Sequence, residues 1–129
     1  MRERRFGRKE LYAGSRFLAP LSEEALHEAG QAAGLHEGAT LQDLAAGNGC
    51  ATIYLAEAFH LYARGFEGDP ELLEVAQENA RKSPARQRIR FTPPEPLGPV
   101  DFVASLRVPV ALPPLRPGGR ILVGRYVAP

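Results

Sequence analysis

One stretch limits the folds open to this chain more than any other: Thr40 to Gly49, TLQDLAAGNG, followed at once by the helix-forming segment CATIYLAEAF. An apolar run holding Leu41 and Leu44 leads into two glycines one residue apart, which reads as strand, turn, helix. Gly47 and Gly49 carry no Cβ and tolerate positive φ, so backbone N–H groups at the helix start are open to a ligand. About twenty residues further on, Glu67 closes a second apolar run, where a parallel sheet presents an acid to a ribose hydroxyl. Together the two features point to a nucleotide-like cofactor.

The rest of the chain supplies the elements such a sheet needs. Ser22 is an N-cap, and Leu21, Ala25, Leu26, Ala29, Ala32 and Ala33 mark an apolar stripe that Gly34 ends. The first strand is expected over Thr40 to Ala46, its helix from Gly49 to Phe59, and the second strand over Leu61 to Glu67. Asp69-Pro70-Glu71 then starts a helix running to Arg81, because the aspartate caps and proline fits the first helical position. Arg88 to Thr92 reads as a third strand, Val100 to Ser105 as a fourth, and Gly119 to Val127 as a fifth, entered through a turn at Arg116 to Gly119. Alternating strands and helices imply right-handed crossovers and a parallel sheet. Nine of the twelve prolines follow Thr92, so little room for a helix is left between strands four and five.

With 129 residues, one domain is expected over 1–129, made of an arm at 1–20 and a cofactor-binding core at 39–127. A net charge of +1 gives no field arguing for nucleic acid or a membrane, although MRERRFGRKE is locally basic. A single cysteine allows no internal disulfide, and no apolar run has the length of a membrane span, so a cytoplasmic location is expected. His27, His36 and His60 share no metal-ligand spacing and read as surface or helix-end residues; no metal is expected. A dinucleotide fingerprint needs a third glycine where Thr52 stands. No serine, histidine and acid set suggests hydrolysis.

From Thr40 to Val123 the motifs resemble those of the class I S-adenosylmethionine-dependent methyltransferases. DLAAGNG is similar to the family's first motif, and GFEGDPELLEVAQENA to the second, whose acid holds both ribose hydroxyls. In FTPPEP, Glu95 falls where the family has an acid that meets the adenine amino group. VDFVAS and LRPGGRILVG are similar to strand four and to the turn into strand five. The resemblance implies a Rossmann-like α/β three-layer sandwich, with a mainly parallel sheet of strand order 3-2-1-4-5 and helices on both faces.

It also implies S-adenosyl-L-methionine as cofactor and transfer of its methyl group to a small acceptor. The set implied to bind the cofactor is Asp43, Ala45, Gly47, Asn48, Gly49, Glu67, Gly68, Glu95 and Ser105, with no catalytic residue assigned. Each has a plainer reading beside it: Asp43 as a support of the glycine turn, Glu95 as a solvated acid among prolines, Ser105 as a strand-end serine bonding local backbone. Cys50 reads as a small buried residue. The amino-methylating signature after strand four is absent, where SLRVPV stands, so methylation of nucleic-acid bases has no support. Family members add a helix and two strands after strand five. An alternative reading is therefore a module that binds the cofactor and works through a partner. An uncovered strand five, RILVGRYV, would favour a homodimer built on that edge.

Overall fold

The computed structural model describes residues 22–96, 99–105 and 115–123. In chain order the elements are α1 (Glu23–Ala33), β1 (Thr40–Asp43), α2 (Cys50–Phe59), β2 (Tyr62–Phe66), α3 (Pro70–Arg81), a 3-10 turn (Arg86–Arg88), β3 (Ile89–Thr92), β4 (Val100–Ser105) and β5 (Leu115–Val123). The sheet order is β3-β2-β1-β4-β5, and every pairing is parallel. This is the order implied by the resemblance. The expected arm at 1–20 lies outside the described residues, as do residues 124–127 of the expected fifth strand.

The helix boundaries follow from their caps. The Ser22 side chain accepts from the Ala25 N–H, and Gly34 closes α1 in the left-handed conformation at φ 84°. Asp69 accepts from the Glu71 N–H and Pro70 opens α3, as expected from their order in the chain. His60 closes α2 at φ 56°, a helix-end role. His27 is half-buried, with its ring stacked 5.0 Å from that of Phe59.

β2 is one residue shorter at each end than expected and β3 begins one residue later, and two strand bounds differ by more than that. β1 stops at Asp43 rather than Ala46: the Leu44 N–H makes the last ladder bond, to the Ala104 carbonyl of β4, and the chain then enters the turn. β5 begins at Leu115, four residues before the expected Gly119, so the expected turn at Arg116 to Gly119 falls within its span. The pairing jumps from Val100 with Leu115 to Phe102 with Arg120, so the proline and glycines make an irregularity in the strand rather than a turn before it.

Side chains alternate across the sheet. Leu41, Ala63, Phe91, Phe102 and Ala104 form one core with Leu26 of α1, Leu55 and Ala56 of α2, and Ala76 and Ala80 of α3. The three described helices therefore share one face. The opposite face carries Thr40, Gln42, Arg64, Arg90 and Asp101 together with Tyr62 and the buried Phe66 and Val103, a mixture of polar and apolar residues among those described. No helix among the described residues is long and apolar enough to cross a membrane.

Candidate cofactor site

The turn between β1 and α2 is held from three directions. The Ala46 N–H donates to the Phe66 carbonyl at the end of β2 (2.9 Å), the Gly49 N–H donates to Ala46 (3.0 Å), and the Ile53 N–H returns to Gly49 (2.9 Å). Gly47 and Gly49 have φ of 61° and 80°, a region that side-chain-bearing residues rarely adopt. Gly49 is also crowded: a Cβ there would lie 2.6 Å from the Phe91 ring. Gly65 on β2 faces the other side of the same ring, with a built Cβ only 2.4 Å away. One phenylalanine of β3 thus packs against two glycines, drawing the turn and β2 together.

Glu67 makes the decisive link. Its carboxylate, in a residue only 8% exposed, accepts from the Gly47 N–H through Oε1 at 2.7 Å and from the Asp69 N–H through Oε2 at 2.9 Å. The acid at the end of β2 and the glycine turn after β1 therefore form one unit, although twenty positions separate Gly47 from Glu67. A carboxylate has about four acceptor directions, so a carboxylate set in this way can also receive hydroxyl donors.

Asp43 is buried and works as a support. Oδ1 accepts from the Ala45 N–H at 3.2 Å, and Oδ2 accepts from the Thr52 hydroxyl at 2.7 Å. The Asn48 Oδ1 accepts from the Cys50 N–H at 3.0 Å, capping α2 where its N-cap residue, Gly49, has no side chain to do so. Asn79 of α3 donates to the Asn48 carbonyl at 3.0 Å and so ties the turn to a second helix. Ala45 and Cys50 are half-buried.

The remaining expected residues lie around this unit. Gly68 is exposed beside the carboxylate, and a Cβ built on it would sit 3.8 Å from Pro94, so the loop after β3 runs next to the Glu67 turn. Glu95 on that loop is exposed, and its ion pair is with Arg64 of β2, 2.5 Å away, rather than with the glycine turn. Ser105 is the last residue of β4, in register with Val123 of β5, at the carboxyl ends of the strands. The structure brings together Asp43, Ala45, Gly47, Asn48, Gly49 and Glu67, with Gly68 adjoining.

Sequence reasoning missed Thr52, Asn79 and Arg64. In the sequence Thr52 stands out only for not being the glycine of a dinucleotide fingerprint, yet it is fully buried and hydrogen-bonded to Asp43. Its spacing from Asp43 is a neighbourhood that exists only once strand and helix have folded back on each other.

No protein-family model and no curated protein matches this chain. Solved structures do. A SAM-dependent methyltransferase from Thiobacillus denitrificans, in complex with S-adenosyl-L-homocysteine, is similar with TM-score 0.68 and 22% identity over 78% of this chain and 42% of that one. A second, from Geobacter sulfurreducens with the same ligand, gives 0.66 and 18% over 78% and 43%. An RNA methyltransferase from Salinibacter ruber, also with S-adenosyl-L-homocysteine, gives 0.64 and 22% over 70% and 62%. The chain spans less than two thirds of each. At these identities the likeness shows the fold, the Rossmann-like sheet of the class I S-adenosylmethionine-dependent methyltransferases.

Proposed function

We propose that this chain binds S-adenosyl-L-methionine at the carboxyl ends of β1 and β2, and that it is a methyltransferase acting on a small acceptor. The observation that carries the reading is the bond from the Gly47 N–H to the Glu67 carboxylate, because it fixes a glycine turn and a buried acid in one rigid arrangement. The residues fit the group. The turn lies at the amino end of α2, where anionic groups are favoured, and Glu67 offers a buried carboxylate to a pair of hydroxyls. When bound, the cofactor supplies an electrophilic methyl group on a positively charged sulfur.

What the chain contributes is position. Asp43 and Thr52 hold the start of the turn, Asn48 and Asn79 hold its end, and Glu67 closes it against β2. A turn held at this many points keeps its geometry without a ligand, so little ordering cost falls on binding. Glu95 and Ser105 complete the set we assign to the cofactor, on the loop after β3 and at the end of β4.

Isothermal calorimetry with S-adenosylmethionine, S-adenosylhomocysteine and NAD tests the reading. Heat with the first two and none with NAD is expected. No heat with either adenosyl ligand, or clear heat with NAD alone, overturns it. Binding without methyl transfer to a broad panel of small acceptors would favour a binding module over an enzyme.

A further inference from the structure

Two departures from ordinary packing meet in one place. Among the described residues, Tyr62 is the large apolar side chain left exposed, at 55%. Among the described residues, Gln42 Oε1 is also the buried side-chain oxygen without a hydrogen-bond partner, in a residue 7% exposed. Both residues line the same cavity of about 230 Å³, together with Thr40, Arg64, Arg88 and Val100. Thr40, Tyr62 and Val100 are the first residues of β1, β2 and β4, so the cavity lies at the amino ends of the strands. Thr40, Gln42, Tyr62 and Arg64 reach it from the sheet face away from the helices, and Leu41 and Ala63 also line it, at the opposite strand end from the glycine turn.

The lining defines what would fit. Gln42 Oε1 calls for an N–H donor, and Tyr62 offers an exposed ring for stacking. Arg88 donates through Nε to the Leu61 carbonyl at 3.2 Å, an anchor that leaves the far end of its guanidinium to meet an anion. Arg64, in register with Gln42, adds a second guanidinium, one edge of which faces Glu95. The Asp101 carboxylate beside Thr40 is engaged by the Thr40 N–H and hydroxyl. About 230 Å³ is below the roughly 300–1,000 Å³ of pockets for drug-sized ligands, so the occupant is the size of one flat ring system, with its charged part at the mouth. A planar group bearing N–H, attached to an anion, is the chemistry of a nucleotide. An acidic peptide supplies the anion and a backbone N–H but no aromatic ring to stack on Tyr62.

We propose that this cavity is a second nucleotide site, separate from the glycine turn, in which a base donates an N–H to Gln42 Oε1 and rests on Tyr62 with its phosphate on Arg88. A free mononucleotide and an unpaired nucleotide of single-stranded RNA present the same chemistry. The site stands on its own observations and does not depend on the reading of the glycine turn.

The test is calorimetry with the four ribonucleoside monophosphates, and fluorescence anisotropy with a short labelled single-stranded RNA, on the full chain. At least one probe binds; a mononucleotide that binds as well as the RNA assigns the free nucleotide as source, and RNA binding alone assigns the strand. Gln42→Leu and Tyr62→Ser each weaken binding roughly tenfold or more. Gln42→Leu also unfolds at a higher temperature than wild type, because it removes a buried oxygen without a partner. Tyr62→Ser changes an exposed residue, which keeps the test in hand if Gln42→Leu fails to fold. Saturating S-adenosylhomocysteine leaves the nucleotide affinity unchanged. The proposal is overturned if no probe binds, if both variants bind as wild type does, if S-adenosylhomocysteine competes, or if poly-glutamate binds as tightly as the RNA.

Discussion

Replacing Glu67 by alanine removes the acceptor of two backbone donors at once. Gly47 is buried and its N–H, 2.7 Å from Oε1, has no water to turn to in the folded chain. Asp69 is half-exposed, so its N–H can be resolvated. A hydrogen bond to a charged group contributes about 1.5–3 kcal/mol, and the second of these two is discounted for solvent. Glu67→Ala should therefore cost about 2–4 kcal/mol, a large part of the roughly 5–15 kcal/mol that holds a whole domain together. Glu67→Gln keeps one carbonyl acceptor but points an amide donor at another donor, and should cost about half as much. Urea unfolding without ligand measures both, read as a shift in midpoint at unchanged slope. A Glu67→Ala chain within about 1 kcal/mol of wild type would refute the reasoning, since the acid would then not be what holds the turn.

Other substitutions test the neighbouring links. Gly49→Ala combines a left-handed φ, about 1–2 kcal/mol, with overlap of the Phe91 ring, about 1–3 kcal/mol, and should lower the thermal midpoint more than Gly34→Ala, where a Cβ meets nothing. Thr52→Val keeps the shape but withdraws the hydroxyl from Asp43, and should cost about 1.5–3 kcal/mol by chemical denaturation while also weakening S-adenosylhomocysteine binding. Among the described residues β5 lies at an edge of the sheet, and we propose a homodimer built on that strand; light scattering that shows a monomer at micromolar concentration would argue against it.

Much of this fold was legible because its signals are local. Asp69-Pro70 starts α3 through a cap and a preset φ that need no distant partner, and Gly34 ends α1 in the same way. Glu67 was found because the acid of one strand and the glycines of another recur at a set separation when parallel strands are joined by one helix. The bound of β5 was not legible: Arg116-Pro117-Gly118-Gly119 has the composition of a turn, and only pairing with β4 carries the strand across it. Thr52 and Asn79 were hidden for a related reason, since each bonds to a residue brought close by helix docking. Glu95 shows the limit from the other side. Its place after β3 was readable, but its ion pair with Arg64 depends on β2 and β3 lying side by side.

The most direct test of the central claim is the position of the ligand on the chain, read by amide NMR as S-adenosylhomocysteine is added. The largest shifts should fall on Gly47, Asn48, Gly49, Glu67 and Gly68, the residues that join the β1 turn to the end of β2. Shifts confined to Thr40, Gln42 and Tyr62 at the other end of the strands, or none at all, would contradict it.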